Sequence, residues 1–581
     1  MQIKERKINE KVRRDLLDAG MSPLLARIYA ARRVESIEDI RTDIRDLTGF
    51  TQLKDIEKAA NRIADTIENA EKTIICGDFD ADGANSAALI IEAITKMGGK
   101  PPLLFIPNRI TQGYGLSRGL VEQMPEDAGL IITVDNGISS IDGVNAANEA
   151  GFTVIITDHH LPGEKLPEAY AIVNPNQPGC AFPWKGTAGV GVAFYVMGAV
   201  RAELRKRGWF TKMGIPELYM MGLLDMVSLA TVADVAPLER NNRIMVAEGL
   251  KRIRNKTCRP GITALFEVAK KDQSRATAAD SGFVAAPRLN AVGRLADMRV
   301  GVDLLLATDA EEARSIAATL DTLNRNRRDI EDDVRQIAEA AAKEQMAAAN
   351  GSGYSIVVYR PDWHEGVIGI VASRLREQYN RPTIVFTRAA DGCLKGSGRS
   401  INALHLRDAI ADVDAQHPGL IHKFGGHAAA AGLTIDSSEE SLATFQAAFE
   451  KATRKRLTPE DLQETLDTDG MLLPEDFTLD NLRAIEDGGP WGRGFEPPLF
   501  HGKFRIFDVR HVASGGFKFK VTLGDRAVQC IWFRRGDEAR GDGPAPGSEV
   551  TFTYTPIINR FRGEENPEFM VQKMVNAGGA K

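Results

Sequence analysis

The chain has 581 residues, 43% hydrophobic and 26% charged, with a formal net charge of -6. That is an ordinary globular composition, too long for one core, and it predicts three or four domains. Five scattered cysteines without a CxxC pair argue against a disulfide framework and against zinc, so a cytoplasmic setting is expected, while the modest negative charge neither advertises nor excludes nucleic-acid binding.

The start, MQIKERKINEKVRRDLLDAG, has no apolar core and is no secretory signal. Residues 1 to about 50 read as short charged helices. From about 70 the pattern changes. TIICGDFD, PLLFIPN, LIITVDNG and TVIITDHH are short β-rich runs separated by helical stretches such as NSAALIIEAITKMGG. Strands alternating with helices imply a parallel sheet, and the polar residues ending each run fall where such sheets place ligands. The longest apolar stretch, AGVGVAFYVMGAV, is too short to span a bilayer and reads as a buried helix, so no membrane association is expected. Residues 309–349 contain neither proline nor glycine. They read as one connector helix of ~60 Å or as two helices broken near Asn324. A second α/β unit starts at 351, with YSIVVYR, PTIVFT and the glycine-rich loops LKGSGRS and FGGHAAAAG; the last reads as a tight turn into a close-packed helix. After a helical stretch from 456 to about 488, five short alternating strands suggest a barrel of the oligonucleotide-binding (OB) kind.

The segment CGDFDADG sets Asp78, Asp80 and Asp82 on alternate positions directly after an apolar strand. A calcium loop is excluded. Its twelfth position from Asp78 is Leu89, where a bidentate Glu is needed, and a strand rather than a helix precedes it. A helix cap needs one Asp; three at the end of a buried strand are costly without a cation. Asp135 ends LIITVD, Asp158, His159 and His160 end TVIITDHH, and Asp234 lies in TVADVAPL. Mixed Asp/His ligation suits manganese or magnesium better than zinc. Paired divalent ions clamp the attacking and leaving oxygens of a phosphoryl group, so phosphoester hydrolysis is the chemistry these residues favour.

DFDADG, VDNG, TDHH and VADV, in this order, resemble the four motifs of the DHH phosphoesterase superfamily. PNRITQGYGLS, PRLNAVGRL, WHEGVIGIVASRL, KGSGRS and FGGHAAAAGL extend the likeness to the bacterial RecJ family of single-strand-specific exonucleases. The resemblance implies an α/β fold in five parts: an N-terminal helical segment (1–45), a parallel-sheet DHH catalytic domain (46–305), a long connector helix (306–350), a smaller α/β, DHHA1-like substrate-binding domain (351–455), and a helical lead-in with an OB-type nucleic-acid-binding barrel (456–581). It implies a 5′→3′ exonuclease on single-stranded DNA, acting in repair and recombination through two ions of Mn2+ or Mg2+ that activate a water. The ligands implied are Asp80, Asp82, Asp135 as the bridge, His159 and Asp234. His160 would face the scissile phosphate, Asp158 would orient a neighbouring histidine, and Arg288 would stabilise developing charge. Many family members carry a histidine where this chain has Cys76. Water, Asp78 or a Cys76 thiolate could stand in for it.

Arg109, Ser397 and Arg399 are expected in a pocket for the terminal 5′ phosphate, and Asn290 and His427 elsewhere along the strand. In the barrel, Lys518 and Lys520 alternate with a core-facing Phe set and would track the backbone, as would Arg534, Arg535, Arg560 and Arg562. Tyr554 and Phe561 are candidate base-stacking residues. Resemblance also implies a single-strand-binding protein and a RecQ-type helicase as partners, and a monomer. Two other readings stay open: a phosphodiesterase acting on short RNA or small nucleotides, and a catalytically dead single-strand-binding protein.

Overall fold

The computed structural model describes residues 2–108, 114–512, 515–533, 544–560 and 563–575. The chain forms two compact units. The larger holds residues 7–324 and 478–498; the other holds 1–6, 325–477 and 499–581. Strand β1 (Gln2–Glu5) therefore opens the chain in the second unit, where short helices were expected.

In the larger unit, β2 (Thr73–Cys76), β3 (Leu103–Phe105), β4 (Leu130–Val134), β5 (Thr153–Thr157) and β6 (Ala171–Val173) form a parallel sheet ordered β3-β2-β4-β5-β6. Its strands are unbroken apolar runs because both faces are covered. Ile75, Ile132 and Ile155 pack on one side with the helices Ala81–Lys96 and Gly189–Lys206, while Ile74, Ile131 and Ile156 pack on the other with Leu120, Val144 and Ala147. Burying each isoleucine stabilises the fold by about 1.5–3 kcal/mol. The chain leaves β2 to one side for β3 and returns to the other side for β4, so the strand order reverses beside the carboxyl end of β2. Such a switch point is where open α/β sheets bind ligands. The three motif-bearing strands, β2, β4 and β5, are consecutive neighbours in the sheet.

The stretch that reads in sequence as a lead-in to the barrel divides. The helix Leu479–Asp487 and the loop after it belong to the larger unit. There Trp491 and Phe495 stack on each other and on Tyr29, and the Arg243 guanidinium lies 3.7 Å above the Phe495 ring. Residues 310–348 form one continuous helix, without the break near Asn324. Ala313, Ala317 and Leu320, then Val334, Ala338 and Ala342, keep buried small or apolar side chains at helical spacing along it.

The second unit contains β7 (Ile356–Tyr359), β8 (Thr383–Arg388), β9 (Leu394–Arg399), β10 (Ile421–Gly426) and β11 (Ala430–Ile435), ordered β10-β11-β9-β8-β7. KGSGRS is thus not a loop but the central strand β9. A Cβ on Gly396 would lie 2.6 Å from the Phe386 ring and one on Gly398 2.9 Å from Leu406, so the glycines make room for side chains crossing the strand. GGHAAAAG is likewise not a turn into a helix; it is the β10–β11 hairpin, closed by the His427 N–H donating to the Ala430 carbonyl at 2.8 Å. Strand β12 (Thr465–Thr468) pairs in parallel with β1.

Strands β13 (Phe500–His511), β14 (Phe517–Leu523), β15 (Arg526–Trp532), β16 (Glu549–Asn559) and β17 (Asn566–Val575) close a barrel in the order β13-β14-β15-β17-β16. Phe517, Phe519, Val521 and Leu523 fill it, as their alternation predicts. Tyr554 is also core, stacked 4.0 Å from Phe569, and offers no face to a base. Phe561 lies outside the described residues. No helix among the described residues is long and apolar enough to cross a membrane.

Candidate active site

Helix and strand ends converge in the larger unit. Asp80 caps the helix Ala81–Lys96: its Oδ1 accepts the Asp82 and Gly83 N–H groups at 2.9 and 3.0 Å. Asp82, within the first turn, is fully buried. Its two oxygens accept the Gly189 and Val190 N–H groups at 2.8 and 3.0 Å, so the free amides of the helix Gly189–Lys206 hold the carboxylate. A Cβ on Gly189 would come 2.6 Å from Asp135 Oδ1, which explains the glycine there.

Asp135 follows β4 with φ 59, a left-handed backbone that Asp tolerates better than most residues. Asn136 fixes that turn by donating to the Cys76 and Val134 carbonyls. Asp234 ends the helix Leu224–Ala233. His159 Nε2 lies 3.1 Å from Asp135 Oδ1 and 3.9 Å from both Asp82 Oδ2 and Asp234 Oδ2.

These atoms make an acceptor-lined pit. Asp135 Oδ1 and His159 Nε2 are buried and have no hydrogen-bond partner, a costly arrangement that a cation between them would relieve. Ligand-type atoms lie within 4.8 Å of one another in three overlapping groups: Asp82, His159 and Asp234; Asp78, Asp80 and Asp135; and Asp135, His159 and His160. Asp135 is shared by the second and third and His159 by the first and third, so the donors are arranged for adjacent cations. Hard oxygens with one or two imidazoles fit Mn2+ or Mg2+.

Electrostatics agree with that fit. Burial, then Asp234, pushes the Asp82 carboxyl up to about 7, and burial, then Asp80, pushes Asp234 to about 7. Burial and the surrounding carboxylates drive Asp135 well above the usual range. Burial lowers His159, which keeps it neutral, the state a ligand needs. Burial also raises the Cys76 thiol, to about 12; its side chain packs among Ile74, Leu120 and Val144 and joins none of the three groups.

His160 differs from His159. Its Nδ1 lies 2.8 Å from Asp158 Oδ1, and although burial opposes charging, that bond raises the imidazole to about 9. Asp158 is fixed in turn, accepting the His159 and His160 N–H groups on one oxygen and the Ile138 N–H on the other. A half-exposed imidazolium at this rim would meet an anionic oxygen.

The remaining expected residues separate. Asn290 Oδ1 accepts the Ala81 N–H at 2.8 Å, so it braces the acidic loop. Arg288 is buried, with Nε and Nη2 on Asp321 Oδ1 at 3.0 and 2.7 Å and Nη1 on the Val284 carbonyl. Arg109, Arg534, Arg535 and Arg562 lie outside the described residues. In the second unit, Ser397 and Arg399 share a face of β9, and Arg399 pairs with Ala430 beside the His427 turn, so these three gather at one end of the sheet. Lys518 and Lys520 point outward from β14; Lys520 pairs with Asp508 at 2.8 Å, and Arg560 pairs with Glu565. Tyr114, which sequence reasoning missed, donates to the Asp135 carbonyl at 3.0 Å and lies 3.3 Å from His160 Nδ1. Its aromatic ring between two glycines in QGYGLS was the available signal.

Family models match three segments: the DHH family N-terminal domain over 72–230, the DHHA1 domain over 352–455 and the RecJ OB domain over 468–573. The chain is 43% identical over 561 residues to the single-stranded-DNA-specific exonuclease RecJ of Dickeya dadantii (strain 3937), covering 96% of this chain and 97% of that protein. It is 42% identical over 577 residues to the protein of that description from Escherichia coli (strain K12), covering 99% of each. The crystal structure of RecJ in complex with Mn2+ from Thermus thermophilus superposes with a TM-score of 0.80 at 26% identity, over 100% of this chain and 80% of that one. At 42–43% identity over nearly its whole length to proteins of that description, the chain belongs to the RecJ family of single-stranded-DNA-specific exonucleases.

Proposed function

We propose that this exonuclease degrades single-stranded DNA from its 5′ end, hydrolysing phosphodiesters at the Asp80–Asp82–Asp135–His159–Asp234 cluster. The observation that carries the reading is the pair of buried, unpartnered ligand atoms, Asp135 Oδ1 and His159 Nε2, inside a pit of carboxylates. Two divalent ions, Mn2+ or Mg2+, would supply Lewis acidity and an activated water when bound. Asp80, Asp82, Asp135, His159 and Asp234 would hold them. Asp158 holds His160 charged, and His160 offers an N–H to a non-bridging phosphoryl oxygen as negative charge builds there. Tyr114 keeps the Asp135 backbone and the His160 ring in register. Asn290 keeps the acidic loop in place. Arg288, paired with Asp321, is assigned the stabilisation of charge that develops on the phosphoryl oxygens.

Recognition of a terminal 5′ phosphate is assigned to Arg109, Ser397 and Arg399, and contacts along the strand to His427, Lys518 and Lys520. The work of the enzyme belongs to DNA repair and recombination in the cytoplasm. It acts as a monomer, with a single-strand-binding protein and a RecQ-type helicase as partners.

The test uses 3′-labelled, 5′-phosphorylated single-stranded DNA with Mn2+, beside its duplex and a matched RNA. Shortening of the DNA strand from its 5′ end, with the duplex spared, is expected. Asp135→Asn, which keeps the left-handed backbone accessible, should abolish shortening and retain strand binding. Cleavage confined to RNA or to the shortest oligomers, or none at all by the unaltered protein, would overturn the reading.

A further inference from the structure

The loop after the helix Leu479–Asp487 reaches the Asp234 side of the pit, although 258 residues separate Arg493 from Val235. Its backbone is fixed to the larger unit on both sides of Arg493. The Leu238 N–H donates to the Arg493 carbonyl at 2.7 Å, Trp491 and Phe495 stack on Tyr29, and a Cβ on Gly492 would lie 2.7 Å from Leu238. The side chain, by contrast, is exposed and weakly engaged. Its Nη1 meets the carbonyl of Val235, the residue that follows Asp234, at 3.4 Å.

A rigid backbone that delivers a loosely held cation beside a metal-ligand carboxylate calls for a reason. Attraction between this exposed cation and the neighbouring Asp234 carboxylate contributes little, and a metal ion held by Asp234 would cancel it. A guanidinium there also opposes cation binding, so it does not serve the metal. What both cations and a guanidinium accept together is an anion with several oxygens, and the planar fork of Arg matches a phosphate.

We propose that Arg493 is a substrate-binding residue of the active site, gripping a phosphodiester of the single strand on the Asp234 side of the metal cluster. This rests on the exonuclease reading. It adds to the site a residue supplied by the segment that follows the helix Leu479–Asp487, which none of the sequence motifs includes.

The experiment compares full-length protein with Arg493→Gln and Arg493→Lys on 3′-labelled, 5′-phosphorylated single-stranded DNA. The unaltered protein is assayed first; its failure to shorten the strand would sink the exonuclease reading and leave nothing for Arg493 to bind. Given an active enzyme, Arg493→Gln should raise KM about ten-fold, by analogy with other lost charge-assisted phosphate contacts. It should flatten the plot of log kcat/KM against log salt by about 0.7, the loss of one phosphate contact on a single strand. The Mn2+ concentration for half-maximal activity and the thermal midpoint should stay unchanged, and Arg493→Lys should recover part of the loss. Wild-type KM and salt slope in Arg493→Gln would overturn the proposal. So would a change confined to the Mn2+ requirement or to the thermal midpoint, which would make Arg493 a counter-ion or a structural residue.

Discussion

At the scale of single residues, the position of the missing histidine is the sharpest question. Cys76 is fully buried among aliphatic side chains and its thiol is held up at about 12, so it has neither the charge nor the direction of a ligand. Asp78, two residues on, groups with Asp80 and Asp135 instead. Asp78→Asn should therefore raise the Mn2+ concentration for half-maximal activity by about ten-fold or more, the scale on which metal sites respond to loss of a close partner. Cys76→Ala should leave it within about two-fold while lowering the thermal midpoint, because a small cavity opens in the core. A Mn2+ titration of both variants decides between them; equal shifts would return the thiol to the ligand set. His160 yields a second prediction. Its folded value is raised, so what the charged pair with Asp158 contributes is fully present below the ordinary histidine range and is lost as pH rises through about 9. Asp158→Asn removes the raising partner. The alkaline limb of the kcat/KM profile should then move down by a unit or more, and a limb that stays near 9 would show that His160 does not set it.

At the scale of elements, the metal loop is held by two helix starts and one helix flank. Asp80 and Asn290 between them accept the Ala81, Asp82 and Gly83 N–H groups, three of the four amides left free at the start of the helix Ala81–Lys96. The helix Ala286–Leu295 carries Asn290 and also Gly293, where a Cβ would stand 1.7 Å from the Phe79 carbonyl oxygen. Gly293→Ala must push the two backbones apart. We expect it to cost about 1–3 kcal/mol, the range for overpacking, and to weaken Mn2+ binding as well, because Phe79 lies between Asp78 and Asp80. Asn290→Ala leaves space and loses one cap, about 1 kcal/mol. Thermal melts with and without Mn2+ test both: Gly293→Ala should lose part of the stabilisation by metal, Asn290→Ala should keep most of it. Asn290 shows how far a sequence motif can be read. PRLNAVGRL marks the helix as part of the site, but whether an amide faces substrate or a neighbouring loop depends on a contact 209 residues away in the chain.

At the scale of the whole molecule, legibility follows the same division between local and distant. The acids at the ends of β2, β4 and β5 were readable because strand periodicity places them on one edge of the sheet. The helical character of Ala310–Ala348 was readable because it holds neither proline nor glycine, but its continuity through Asn324 was not. Strand β9 was read as a loop because glycines that admit the Phe386 ring look, in sequence, like glycines that bend a chain. Strand β1 was missed because four charged or polar-flanked residues become a strand only by pairing with β12, far along the chain. The segment 478–498 was missed for that reason too, and its role gives a prediction. The larger unit buries Phe495 and half-buries Trp491 against Tyr29 and Arg243, and losing a buried large aromatic from such a cluster costs about 3–5 kcal/mol. A chain ending at residue 498 and one ending at 477 both lack the barrel, yet only the first keeps those rings. The longer truncation should melt its larger unit within a few degrees of the full chain and still shorten oligonucleotides at low salt. The shorter one should melt well below it and lose activity at temperatures where the longer survives. Equal melting of the two would mean that the aromatic stack is an ornament of the fold and that residues 7–324 complete the unit without it.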